Sequence, residues 1–178
     1  MKNKKIVNKT KMLAVCAMFS ALGVVILYMG ALIEVLDLTM AFVASLIVMA
    51  AVIELGGAYP WLIYAVTATL SILLVPNKFC AAVYVGFVGF YPILKEKFER
   101  IPGLICLVLK IVSFNACVFA MWWITKLLSL PVTFGLPIWG VVLALNAVFV
   151  VFDVSLTRMI TMYVYRWRMK LKIDKWLK

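Results

Sequence analysis

The chain has 178 residues, of which 67% are hydrophobic and only 14% are charged, and its mean hydropathy is +1.13. A soluble domain carries roughly 45–50% apolar and about 25% charged residues, so this composition excludes an ordinary water-soluble protein. The net charge of +11 does not indicate a nucleic-acid partner, because the basic residues cluster beside apolar segments. We therefore predict one all-α membrane domain over residues 1–178, with the lipid bilayer as its solvent.

Six apolar segments follow one another along the chain. A helix needs about 20 apolar residues to cross a hydrocarbon core of ~30 Å. The second and fourth segments are short for this thickness, so we expect them to be upright, interrupted or shielded by neighbouring helices. The six predicted spans cover residues 12–33, 39–53, 58–75, 79–94, 103–128 and 134–163, and a basic tail follows at residues 164–178.

The basic residues predict the orientation of the chain. Five lysines precede Met12, three basic residues lie between Lys95 and Arg100, and six lie from Arg166 to the end. With six spans and a cytoplasmic N-terminus, all three basic clusters lie on the cytoplasmic side, and the outer loops hold only Lys78 and Lys126. We expect a multi-pass protein of a prokaryotic inner (plasma) membrane with both termini in the cytoplasm.

Two charged residues fall inside predicted spans. Lys110 and Asp153 lie roughly 10–15 Å from the cytoplasmic ends of the fifth and sixth segments at 1.5 Å per residue. A lone charge at this depth is costly, so we predict an ion pair between them. A purely structural pair and a coupling or gating role both remain open. Asn115 and Asn146 on the same segments are predicted to bond either to each other or to a ligand.

Polar and aromatic residues near the predicted outer face are candidates for a small-molecule site, since such sites combine a few polar groups with aromatic walls. Solvated loop charges that bind nothing explain the same residues equally well. The candidate substrate-binding residues are Glu34, Asp37, Lys78, Tyr84, Asn115, Trp139 and Asn146.

No catalytic pattern is present in the sequence. The chain contains no histidine, no glycine-rich phosphate loop with its lysine, and no metal-ligand spacing. We expect a protein that is not an enzyme and has neither a cofactor nor a metal ion. If it moves a solute uphill, the energy must come from a partner or from an ion gradient.

The first segment carries small residues at Ala14, Ala17 and Ala21. Ala17 and Ala21 are four residues apart, so they share a helix face and allow another backbone to approach closely. Packing within the chain's own bundle and docking onto another membrane protein are the two interpretations.

The stretch AVCAMFSAL from Ala14 to Leu22, in a chain of this length with six predicted spans, resembles the substrate-binding S component of energy-coupling factor (ECF) transporters. The resemblance implies a subunit that binds a vitamin or similar micronutrient in a pocket open to the outside. It also implies that Ala17 and Ala21 contact a membrane-embedded T component driven by two cytoplasmic ATPases, and that residues 34–38 form a lid over the pocket.

The substrate itself stays open, because we find no motif typical of riboflavin, thiamine, biotin or folate binders. Lys78 and Lys126 in the outer loops favour an anionic ligand group. Three other functions remain as alternatives. They are a structural or assembly subunit without a ligand, a stand-alone ion-coupled transporter that uses Lys110 and Asp153 as a relay, and, least favoured, an intramembrane enzyme.

Overall fold

A computed structural model describes residues 2–33, 36–101, 103–127 and 138–167, with side chains for 9–33, 36–101, 103–127 and 139–165. These residues are helical apart from short turns and contain no strand. Their helices are α1 (Lys2–Leu32), α2 (Asp37–Glu54), α3 (Tyr59–Leu74), α4 (Lys78–Val83), α5 (Tyr91–Phe98), α6 (Leu104–Leu127) and α7 (Ile138–Met162), with π-helical segments at Tyr84–Val88 and Tyr163–Trp167.

Five apolar helical stretches are long enough to cross a membrane, which confirms the prediction of an all-helical chain suited to a bilayer. A sixth apolar helix, α3, has only 16 residues. The predicted start of the sixth segment at 134–137 and the end of the basic tail at 168–178 lie outside the described residues. The five long stretches are Lys9–Leu32, Asp37–Glu54, Lys78–Phe98, Leu104–Leu127 and Trp139–Tyr165.

The fourth predicted segment, at 79–94, corresponds to the longer stretch Lys78–Phe98, because three short helical pieces continue one another. Asn77 begins it, since its side-chain oxygen accepts a hydrogen bond of 3.0 Å from the Phe79 amide. The π-helical turn then brings Gly86 against α6, where a Cβ atom would lie only 2.3 Å from the Met121 sulfur. Pro92 lies in the first turn of α5, where its missing amide hydrogen costs nothing.

Two buried clusters hold the helices together. The first joins α1, α2, α3 and α4 and is rich in small residues, which let the backbones approach. The second is mostly aromatic and joins α6 and α7 to α2 and α5, with the Phe114 and Phe149 rings stacked at 4.6 Å. No described residue of α6 is fully buried, so α6 lies at the periphery of the bundle.

The two ends of the bundle are marked by contacts between distant residues. At one end the Asn77 side-chain amide donates to Asp37 Oδ2 at 2.6 Å, and we call this the Asp37 end. At the other, the Tyr163 hydroxyl lies 3.4 Å from Glu54 Oε1, and the turn between α5 and α6 follows Glu99. We call this the Glu99 end.

Gly30 offers a test of the close packing between α1 and α2. A Cβ atom at Gly30 would lie 2.6 Å from the Met40 Cβ, which is fixed to the backbone and cannot move aside. We expect Gly30→Ala to destabilise the protein by about 1–3 kcal/mol, the usual cost of overpacking. Thermal unfolding in detergent should show a lower melting temperature for Gly30→Ala and an unchanged one for Met29→Ala, which alters an exposed neighbour. Equal melting temperatures for Gly30→Ala and the wild type would contradict this packing.

Candidate functional site

A cluster of charged side chains joins α5, α6 and α7 near the Glu99 end. The Asp153 carboxylate on α7 accepts hydrogen bonds from the ammonium groups of both Lys95 and Lys110, and its Oδ2 lies 3.1 Å from Lys110 Nζ. The Tyr91 hydroxyl donates to Asp153 Oδ1 at 2.6 Å. Asp153 is therefore bonded to two different helices at once.

Glu99 and Thr157 complete this Asp153 cluster. The Glu99 carboxylate lies 3.2 Å from Lys95 Nζ and 3.6 Å from Lys110 Nζ, so two ammonium groups face two carboxylates. Thr157 Oγ1 accepts from Lys95 at 2.8 Å and donates to the Asp153 carbonyl at 2.8 Å. With all four groups ionised, the cluster has no net charge.

Burial differs strongly within the cluster. The Lys95 side chain is 1% exposed and that of Lys110 12%, whereas Asp153 and Glu99 are 21% and 42% exposed. A buried ammonium group is stable only when it is paired and hydrogen-bonded. Lys95 meets this condition, since its three donors reach Asp153, Glu99 and Thr157.

Helical spacing explains how the sequence builds the cluster. Tyr91, Lys95 and Glu99 are four residues apart and share a face of α5, while Asp153 and Thr157 share a face of α7. Lys110 and Asp153 were predicted to pair, and they are in contact. Lys95 was predicted to belong to the cytoplasmic basic cluster that follows the fourth span, whereas it is buried inside the bundle. The four-residue spacing of Tyr91, Lys95 and Glu99 was the signal that could have revealed this.

Asn115 and Asn146 bond to each other across α6 and α7. Each side-chain amide donates to the side-chain oxygen of the other, at 3.0 and 3.2 Å. Each also donates to the carbonyl four residues earlier on its own helix, at 2.9 and 2.8 Å. Each residue thus uses one amide hydrogen between the helices and one within its own helix, and in this conformation neither presents a free amide hydrogen to a ligand.

At the Asp37 end, the predicted binding residues have other partners. Asp37 is buried and bonds to Asn77 through Oδ2. The Lys78 ammonium donates to the carbonyls of Ile72 and Val75 at 2.7 and 3.0 Å, so it neutralises the C-terminus of α3. At least two of the three ammonium donors of Lys78 are therefore used within the chain. Glu34 lies outside the described residues.

Tyr84 and Trp139 lie in opposite surroundings. Tyr84 is fully buried in the first cluster, whereas Trp139 is 86% exposed at the beginning of α7. In the part of the chain that the structure describes, a hydrogen bond joins only one pair of the predicted binding residues, Asn115 and Asn146.

The three alanines of α1 point away from the bundle. Ala14, Ala17 and Ala21 are exposed, whereas Cys16 and Ser20 on the opposite face are buried. Packing within the chain's own bundle therefore does not use these alanines. Among the described residues there is also no group of three or more cysteine and acidic side chains placed to hold a metal ion.

Comparison with known proteins gives no relative for this arrangement. No protein-family model matches the chain, and neither a curated protein nor a solved structure does. The function of the chain must therefore be inferred from its own geometry.

The Asp153 cluster gives a prediction about charge balance. Asp153→Asn leaves two buried ammonium groups with only Glu99 between them, and we expect it to cost about 3–5 kcal/mol of stability. Lys110→Met should cost less, because Lys95 keeps its contact with Asp153. The double variant Lys110→Met/Asp153→Asn should be more stable than Asp153→Asn alone, since one charge of each sign is removed.

Thermal and denaturant unfolding of the four proteins in one detergent measures these differences. Lys126→Met serves as the control, because Lys126 lies over the Trp122 ring and outside the cluster. A double variant no more stable than Asp153→Asn would show that Lys110 does not depend on Asp153 for its counter-charge.

Proposed function

We propose that this chain is the membrane-embedded, substrate-binding subunit of an uptake system for a vitamin or similar small micronutrient, of the S-component type. In this proposal the chain crosses the membrane six times with both termini in the cytoplasm, and it docks through α1 onto a T component. Two cytoplasmic ATPases, bound to that T component, supply the energy.

The observation that carries the proposal is the outward face of α1. A helix surface that meets only lipid gains nothing from alanine, but a surface that meets another helix gains close contact. Ala14, Ala17 and Ala21 form such a surface, and bulky apolar residues such as Met18 and Leu22 flank it. The opposite face of α1 is already filled by contacts with α2 and α3.

The contacts at the Asp37 end support a ligand site at that end of the bundle. It joins the C-terminal end of α1 to the beginnings of α2 and α4, through the bond between Asp37 and Asn77 and the approach of Gly30 to Cys80. In this proposal, movement of the lid formed by residues 34–38 opens a pocket at this end. The Asp153 cluster, at the opposite end, would hold α5, α6 and α7 together during that movement.

The docking face can be tested by purification of the tagged chain from its native membranes. We expect the wild type to carry a second integral membrane subunit and ATPases, and Ala17→Leu/Ala21→Leu to lose them, because each leucine adds three heavy atoms where two backbones must approach. Ala116→Leu/Ala120→Leu is the matched control, since those alanines are exposed on α6. The variants should unfold at the wild-type temperature.

Mass spectrometry of the same samples identifies the subunits and any retained small molecule. Two results would contradict the proposal: a wild type that carries no ATPase, or partner binding that survives both leucines on α1. A partner lost equally from the α6 control would show only a general sensitivity to bulk.

A second function, that of a stand-alone ion-coupled transporter, is favoured by one observation. The Asp153 cluster places two acids and two lysines on membrane-spanning helices, as proton and ion relays do. Transport by the purified chain in liposomes without ATPases, lost in Asp153→Asn, would favour this function. Absence of transport by the isolated chain, together with copurified ATPases, would favour the S-component function.

A further inference from the structure

Arg158 on α7 has no acidic partner among the described residues. The other two described basic residues of α6 and α7 are both accounted for. Lys110 contacts Asp153, and Lys126 lies 4.2 Å from the centre of the Trp122 ring. A guanidinium group on the exposed surface of a membrane-spanning helix extends to the interface or pairs with an anion, so Arg158 is available to an anion from outside these residues.

An open groove lies beside Arg158 on the flank of α7. It is shallow and wide open, its lining surface is mostly apolar, and its lining residues follow the spacing of one helix face. The threonine hydroxyls in it already donate to backbone carbonyls, at 2.8 and 2.9 Å. The donors left to face the groove are the Arg158 guanidinium and the Tyr165 hydroxyl. The groove is lined by Thr157, Arg158, Thr161, Met162 and Tyr165.

The groove lies towards the Glu99 end of the apolar stretch of α7. Lys110, which contacts Asp153, is about 9 Å along the axis from Leu104 at the start of α6, at 1.5 Å per residue. Arg158 is about 7.5 Å beyond Asp153 in the opposite chain direction. Arg158 is therefore nearly level with the first residue of α6 and lies closer to the membrane surface than Asp153 does.

We propose that this groove binds the phosphate of an anionic phospholipid. Guanidinium and phosphate groups form two parallel hydrogen bonds, and the Tyr165 hydroxyl can add a third. Among the described residues that line the groove, none is acidic, so none of them repels the phosphate. The apolar flank of α7 beside it, including Val151 and Val154, is exposed and suits the acyl chains. The inference does not depend on the proposed transport function.

The test compares phosphatidylglycerol with phosphatidylcholine on the purified full chain. Native mass spectrometry counts the phosphatidylglycerol molecules that survive delipidation, and thermal unfolding measures the stabilisation by each lipid. We expect Arg158→Gln to retain about fivefold less phosphatidylglycerol than the wild type, the usual contribution of one basic residue near anionic lipid. Its extra stabilisation by phosphatidylglycerol should also be largely lost, and Tyr165→Phe should show a smaller loss.

Lys97→Gln is the matched control, because Lys97 is an exposed basic residue at the same end of the bundle and does not line the groove. It should retain the wild-type lipid. Equal retention by Arg158→Gln and the wild type, or equal losses in Arg158→Gln and Lys97→Gln, would overturn the site.

Inorganic phosphate without lipid distinguishes a lipid headgroup from a free anion. The proposal expects free phosphate to leave the melting temperature of the wild type unchanged. A shift as large as that from phosphatidylglycerol would overturn the assignment to lipid.

If Arg158→Gln fails to fold, Arg158→Lys replaces it, since lysine keeps the positive charge but lacks the planar guanidinium group that forms two parallel hydrogen bonds. Reduced retention in Arg158→Lys then supports the site, and unchanged retention contradicts it.

Discussion

The contact of Asp153 with two lysines is the interaction on which the arrangement of the second half of the chain depends. Charged groups in an apolar environment are stable only in contact with their counter-charges, so α5, α6 and α7 can pack in few ways that satisfy all four ionic groups. Aromatic packing supplies much of the remaining contact, as between Phe87, Phe114 and Phe149. Such rings could pack in several registers, whereas only a few registers also bring the ionic groups into contact.

The first half of the chain is organised by a different principle. Here α1, α2 and α3 approach closely because small residues such as Gly30, Ala41 and Ala44 face the neighbouring helices. No described ion pair joins these three helices. The chain thus combines a half held by close backbone contact with a half held by charge and aromatic rings. The π-helical turn at Tyr84–Val88 lies between them, where Gly86 meets Met121.

The sequence predicted the helices well because apolar length and terminating residues depend on local chemistry. The contact of Lys110 with Asp153 was also predictable, since two isolated opposite charges at similar depth have few other partners. Lys95 was not predicted, because a charge count assigns every lysine near a turn to solvent. Its burial depends on how α5 is rotated, which only tertiary packing decides.

The candidate binding residues show the same limit. Depth along a helix can be read from the sequence, but the direction of a side chain cannot, so the fully buried Tyr84 and the exposed Trp139 were equally plausible. The outward direction of Ala14, Ala17 and Ala21 likewise became clear only when the opposite face of α1 was found to be filled. Sequence patterns therefore identify candidate functional residues more readily than they identify which residues contact one another.

The shortness of α3 has a consequence for the surrounding bilayer. Its 16 residues extend about 24 Å, several ångströms less than a typical hydrocarbon thickness of ~30 Å. Leu62, Val66 and Leu73 are exposed along it, so this side offers an apolar surface to its surroundings. If α3 crosses the bilayer, the neighbouring acyl chains must shorten or disorder to match the helix, and this flank is then a region of locally thinned membrane. Lipids with shorter or unsaturated chains should therefore be enriched beside α3, and the mismatch would favour a thin host membrane over a thick one.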